Sequence, residues 1–199
     1  YAYHDYDYSF QSRDKYLSSL GFDNYSACFN GLEEKISCSI FPASDDEMIN
    51  ATIDDYINDE HFMVYYATVS GHGRWEFTDN DMSIKNRALV EDLDYNETVK
   101  AYIAANLELE KAMTSLLNRL EEAGKLDDTV IVLAADHHPY FMSDEDMENL
   151  AKKELDQFSL YKNNLIIYNA EMEYTQINKS CSTIDVLPTV LNLFGIKYD

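Results

Sequence analysis

Apolar and polar positions along this chain switch between a period of two and a period near 3.6, and the switches mark its elements. "YAYHDY" reads as a first strand, and "SRDKYLSSLGF" as a helix that stops near Gly21. Residues 24–44 follow neither period. Ser44 then stands before three acids, with Met48, Ile49, Ile53 and Ile57 recurring on one face, so "SDDEMINATIDDYIND" predicts an N-capped amphipathic helix. "HFMVYYATVS", rich in β-branched and aromatic residues, predicts a strand ending at Gly71. The longest helical run goes from about Asn96 to Ala123. It carries Leu109, Met113, Leu116, Leu117 and Leu120 at helical spacing, and Gly124 as its stop. "TVIVLAA" has the near-continuous apolar character of a strand buried on both faces. "DEDMENLAKKELDQF" predicts a mostly exposed helix and "NLIIYNA" another short strand. "TIDVLPTVLNLFGI" predicts a helix entered near Ser182, kinked or restarted at Pro188, with Gly195 after it.

Strands alternating with helices across short connections predict an α/β fold: a mostly parallel sheet with helices on both faces, in one domain over residues 1–199. In such sheets ligands bind beyond the carboxyl ends of the strands. Two predicted strands end in polar clusters, "GHGRW" and "DHHPY", and the rule puts both on one edge.

Composition narrows the function. A chain of 199 residues with 46% hydrophobic residues can bury one sizeable core. No apolar run reaches membrane-spanning length, and no basic-then-apolar leader opens the chain. The first residue is a strand-like Tyr rather than Met, so an upstream part of the natural polypeptide is expected. The net charge of −22 repels phosphate backbones, which excludes nucleic acid as the main partner. An anionic substrate would need a cation or local basic groups at its site. Three cysteines, Cys28, Cys38 and Cys181, lack zinc spacing. A Cys28–Cys38 disulfide and three ordinary thiols both remain open.

Asp136 and His137 supply a hard oxygen and a borderline nitrogen, a pair suited to Zn, Mn or a related divalent ion. Adjacent residues reach one ion only where the chain has left strand geometry, since neighbours on a strand face opposite ways. Pro139 favours that departure. His72 lies between Gly71 and Gly73, where the backbone can turn sharply, and Arg74 follows. An imidazole beside a guanidinium suits an anionic group. A polar loop and a glycine-rich turn with an exposed histidine account for the same residues. His4 and Arg13, nine positions apart, have no assignment from spacing alone.

Four ordered blocks carry a resemblance. "YAYHDYDYSFQSRDKYLSSLGFDNY" resembles the segment of lipoteichoic-acid synthases and related phosphoglycerol transferases in which a strand runs to a histidine, then Ser/Thr-Phe and an arginine. "ATVSGHGRWEF", "DDTVIVLAADHHPY" and "STIDVLPTVLNLFGI" are similar to three later blocks. The last two recur throughout the sulfatase and alkaline-phosphatase superfamily. The resemblance implies the carboxyl-terminal part of such a catalytic domain, incomplete at its amino-terminal side. It implies Asp136 and His137 as ligands of a catalytic metal, Mn²⁺ before Zn²⁺, Mg²⁺ or Ca²⁺. His72 would contact the substrate phosphate or assist proton transfer. His4 and Arg13 would line the phosphoglycerol pocket, with Arg13 and His72 stabilising developing charge. Gln11 stands where relatives often carry tryptophan, a departure that touches specificity.

The Thr nucleophile and a further acidic ligand of that family have no counterpart among these residues and would lie upstream. The implied substrate is a glycerophospholipid or cell-wall glycopolymer, and the implied parent a membrane-anchored bacterial enzyme working at the outer face of the cell membrane. No Cys-x-Pro-x-Arg stretch is present. A sulfatase, a phosphoethanolamine transferase, a phosphodiesterase and a non-catalytic binding remnant stay as alternatives.

Overall fold

In the computed structural model, which describes residues 1–197, β1 (Ala2–Asp7) is the centre of a three-stranded parallel sheet. β2 (Tyr25–Cys28) and β3 (Tyr65–Ala67) flank it in the order β2–β1–β3. Ala2, Tyr3 and His4 pair with Tyr25, Ser26 and Ala27 on one side and with Tyr65, Tyr66 and Ala67 on the other. A strand paired on both edges is shielded, and β1 is buried from Ala2 through Asp5. The helix α1 (Arg13–Ser19) joins β1 to β2, and α2 (Asp45–Thr52) precedes β3. Then come α3 (Asp81–Asn86), α4 (Glu97–Glu122), β4 (Ile131–Ala134), α5 (Asp144–Ala151), β5 (Leu165–Tyr168) and α6 (Val186–Leu193).

Local chemistry sets the helix starts. The Ser44 hydroxyl caps α2 by accepting from the Glu47 amide at 3.2 Å, and Asp45, Asp46 and Glu47 meet the positive end of the helix dipole. Asn96 caps α4 in the same way, accepting from the Val99 amide at 2.9 Å. The apolar face of α2 delivers Met48 and Ile49 to a core completed by Tyr3, Ile53, Tyr56, Ile57 and, from α4, Ala112, Leu116 and Leu120. One acid lies inside this packing. Glu108 of α4 is fully buried, and burial alone would raise its pKa. Hydrogen bonds from Lys85, Ser44 and Asn86 outweigh that cost and hold the carboxyl at about 2. Glu108 thereby ties α4 to α3 and to the start of α2.

Several expectations change. The aperiodic stretch 24–44 contains β2, whose short "YSAC" run has no alternation to reveal it. The strand predicted over "HFMVYYATVS" reduces to Tyr65–Ala67. Its ladder stops because the amides of Val69 and Ser70 donate to the Asp45 carboxylate instead of to a neighbouring strand. β4 does not join the parallel sheet. It pairs antiparallel with β5, Ile131 opposite Tyr168 through Ala134 opposite Leu165. It is half-exposed rather than buried on both faces, because a two-stranded ribbon has no layer to cover it. α5 ends at Ala151, seven residues short of the predicted run. Pro188 falls in the first turn of α6, where its missing amide hydrogen has no helical partner, and a short 3₁₀ turn over Thr183–Asp185 precedes it. The restart is therefore the form observed. Cys28 and Cys38 form a disulfide, and Cys181 is free and exposed. No helix among the described residues is long and apolar enough to cross a membrane.

Candidate functional site

β1 brings His4 into the interior at 2% exposure. Its Nδ1 lies 2.7 Å from the carbonyl oxygen of Ala67 on β3. A carbonyl can only accept, so Nδ1 carries the proton and Nε2 keeps its lone pair. That lone pair faces the Arg13 guanidinium at 3.5 Å. Burial first, and the Arg13 charge with it, lower the His4 pKa to about 4 against the opposing hydrogen bond to Ala67, so the ring is neutral near pH 7. Arg13 also donates to the Phe10 carbonyl at 3.3 Å and lies over the Phe10 ring. Its Nε–H is buried and finds no acceptor among the described residues. Gln11 and Ser12, both left-handed at φ 54 and 60, carry the chain round Phe10 into α1. Such backbone is costly for side chains of this kind and concentrates at functional sites.

His72 sits past β3, on a turn held from several directions. Asn80 donates to the carbonyls of His72 (2.9 Å) and Arg74 (3.0 Å), and the Trp75 indole donates to the Gly71 carbonyl at 3.0 Å. The two glycines allow close approach of other parts of the protein to this turn. A Cβ on Gly73 would meet the Phe141 ring at 2.7 Å, and one on Gly71 would meet Asn106 at 2.9 Å. His72 Nδ1 donates to the Gly73 carbonyl at 2.6 Å, which leaves Nε2 free.

Asp136 and His137 follow β4 in irregular backbone. Having left the strand, their side chains no longer diverge: Asp136 Oδ2 lies 3.5 Å from His137 Nε2. His137 Nδ1 donates to the His138 carbonyl at 2.8 Å, which leaves Nε2 as the ring nitrogen that faces Asp136. Two ligands of a tetrahedral ion at ordinary metal–ligand distances stand about 3.4 Å apart. The pair therefore fits two neighbouring positions around a divalent ion, with a backbone carbonyl orienting the histidine. Among the described residues no group of three His, Cys, Asp or Glu side chains is gathered for a metal.

The three loci form a string rather than a cluster. His4 and Arg13 meet, Asp136 and His137 meet, and His72 touches neither pair through a hydrogen bond. Ring contacts connect them: His4 to Tyr6, Tyr6 to Phe41, Phe41 to His72, His72 to Phe141, then Tyr140 and His137. Successive centroids are 4.5 to 6.2 Å apart. Sequence reasoning missed Phe41, Phe141, Asn80 and Asp45, because nothing in their spacing announces a role. Phe141, which closes the apolar-to-polar "DHHPYF" stretch, carried the one available signal. In all three site histidines Nδ1–H is committed to a main-chain carbonyl; Nε2 of His4 faces the Arg13 guanidinium, and Nε2 of His72 and His137 makes no such main-chain bond.

A family model described as Sulfatase matches residues 1–196. Lipoteichoic acid synthase 1 of Bacillus subtilis (strain 168) is 23% identical over 203 residues, covering 94% of this chain and 29% of the relative. The crystal structure of the lipoteichoic acid synthase LtaP from Listeria monocytogenes is similar with a TM-score of 0.73 and 25% identity, over 98% of this chain and 49% of that one. The chain thus spans less than half the length of either.

Proposed function

The chain belongs to the sulfatase family, and from that premise we propose that it forms part of a metal-dependent phosphoglycerol transferase. Its substrates would be phosphodiesters of a glycerophospholipid or glycopolymer at the outer face of a bacterial membrane. The observation that carries this reading is the set of three histidines, each with Nδ1 tied to a main-chain carbonyl, which leaves Nε2 of His4 to Arg13, Nε2 of His137 beside Asp136 and Nε2 of His72 free.

Asp136 and His137 would hold a divalent cation, Mn²⁺ before Zn²⁺, Mg²⁺ or Ca²⁺. When bound, such an ion neutralises a phosphodiester oxygen and lowers the pKa of a hydroxyl nucleophile. Arg13 would offer the terminal donors of its guanidinium to phosphate oxygens. His4, kept neutral, holds that guanidinium from behind without competing for the anion. His72 would first take up the proton released by the attacking hydroxyl on its free Nε2 and then give it to the departing lipid oxygen. The nucleophile, a Thr from outside these residues, forms the new bond to phosphorus as the bond to the lipid oxygen breaks. An acceptor hydroxyl then releases the phosphoglycerol group.

The test uses the longer natural protein and this chain side by side. Asp136→Ala and His137→Ala should each lower turnover of the longer protein by more than about 100-fold, since even losing a ligand's outer hydrogen-bond partner costs 10–100-fold. The 199-residue chain alone should not turn over a chromogenic phosphodiester with Mn²⁺. An Asp136→Ala protein that keeps near-normal turnover would sink the metal assignment. Turnover by this chain alone would place a nucleophile inside it.

A further inference from the structure

Asp5 follows His4 on β1, faces the other side of the sheet and is 2% exposed. Neither of its carboxyl oxygens meets a hydrogen-bond donor among the described residues. Its neighbour is a second acid, the fully buried Asp45 at the first position of α2. Asp45 is well supplied with donors. One of its oxygens accepts from the amides of Val69 (2.8 Å) and Ser70 (3.2 Å), and the other from the Ser70 hydroxyl. The two acids thus differ in one respect: Asp45 has three donors and Asp5 has none.

Two buried carboxylates without a cation between them do not both stay charged. The acid with three donors keeps the charge, and the acid without any carries the proton. A protonated Asp5 then has one acceptor to point at, Asp45. Burial, followed by the charge of Asp45, holds the Asp5 pKa well above the usual carboxyl range. Surrounding titratable groups are engaged elsewhere. Asp46 accepts from Asn50 and Ser115, while Glu47 and Glu108 face Lys85. Tyr3 and Tyr66 turn their hydroxyls to Asp55 and Thr52. His4 and His72 spend Nδ1 on the carbonyls of Ala67 and Gly73.

We propose that Asp5 and Asp45 share a single proton, and that this pair is the positioning element for the segment Val69–His72. Asp45 clamps the two amides and the hydroxyl that immediately precede Gly71–His72. Ionising Asp5 sets two negative charges against each other at the base of that clamp. The positioning role rests on reading His72 as a phosphate-handling residue, whereas the shared proton is testable whether or not that reading holds.

The sign of the pH effect follows from linkage. A carboxyl that binds its proton more tightly in the folded chain contributes stability in full below its unfolded pKa of about 4, and loses it as pH rises through the folded value. Asp5→Asn keeps the shape, supplies an N–H donor to Asp45 and does not titrate. The folding equilibrium constant of the unmodified chain should fall relative to Asp5→Asn by up to about tenfold for each pH unit above 4. Parallel stability profiles of the two proteins from about pH 4 to 9 would overturn the shared proton. Nuclear magnetic resonance of the His72 ring reads the positioning. Asp5→Asn should leave the His72 signals in place at neutral pH and Asp45→Asn should shift them. An unmoved His72 in Asp45→Asn overturns the clamp. If Asp5→Asn does not fold, the carboxyl carbon of Asp5 in the unmodified chain decides the proton: still protonated at about pH 6 supports it, and fully ionised by about pH 5 refutes it. If Asp45→Asn does not fold, Ser70→Ala, which removes one of the three donors, must shift His72, and no shift refutes the clamp.

Discussion

Residues 2–122 and residues from 130 onward are both rich in apolar side chains, yet they bury them to very different degrees. Beyond Leu120, Met142 alone among the described residues is buried. The central strand β1, with one His and two Asp, hides four of its six residues, and the wholly apolar β4 hides none. The helix α4 buries a stripe from Val99 to Leu120, whereas α6, with Val186, Leu187, Val190, Leu191 and Leu193, buries nothing. Apolar composition supplies the drive to bury, but a facing layer decides whether burial occurs. The candidate site straddles this division. His4, Arg13 and His72 stand on the dense region, and Asp136 and His137 hang from the thin one. Phe141, against His72 and Trp75, and Met142, in the cluster around Trp75, Met82 and Val99, fasten the two.

The largest test of this contrast removes packing from the dense side. Leu120→Ala takes a side chain of 1% exposure out of the core shared by α2 and α4. It should cost about 2–5 kcal/mol in chemical denaturation, the range for such buried truncations. A loss below about 1 kcal/mol would mean that this core is not cooperative. Hydrogen exchange should show the same asymmetry without any substitution. Amides of β4 and β5 should exchange about 100-fold faster than those in the middle of α4, a difference near 2.7 kcal/mol in opening, because an isolated two-stranded ribbon is marginal. Equal protection would show that the thin region is stabilised by contacts other than those described.

How much of this was legible beforehand divides along the same line. The helix start at Ser44 was readable because capping depends on a few adjacent residues, and the start near Asn96 because the helical period begins there. The faces of α2 and α4 were readable because period alone sets them. What strand β4 would pair with was not readable. Its apolar run is satisfied equally by a parallel sheet covered on both faces and by an antiparallel ribbon awaiting cover. The early end of β3 was hidden for a different reason, since it depends on Asp45, more than twenty positions away, capturing the amides of Val69 and Ser70. Asp136, His137 and His72 were singled out from residue type and position at strand ends. His4 and Arg13 needed the family resemblance, and the structure then brought their side chains together across a strand-to-helix turn.

A third measurement probes the dense half through protonation. The lowered pKa of His4, about 4, means that the unfolded chain takes up its proton before the folded chain does. Stability should therefore be complete above the ordinary histidine pKa of about 6.5 and decline as pH falls toward 4. The loss should be on the order of 3 kcal/mol over that window. His4→Gln, which does not titrate, should lack this slope. If both proteins lose stability equally between those pH values, the imidazole is not held neutral by burial.

The smallest effect belongs to the thin side. Leu187 of α6 is 65% exposed, so Leu187→Ala removes few contacts, and alanine is the better helix former. In this chain the change should stay within about 0.5 kcal/mol. The relatives with which it aligns are more than twice its length, and a sulfatase-family domain that supplies a second layer would cover this face. In a longer protein that contains this chain together with such a domain, the same substitution should then cost about 2 kcal/mol or more, as a buried leucine does. One residue measured in two contexts separates two explanations of the thin region. A cost that stays small in both makes α6 a surface helix in its own right. A cost that appears only in the longer protein makes its apolar face, and with it the ribbon that carries Asp136 and His137, half of an interface whose other half lies elsewhere in the polypeptide.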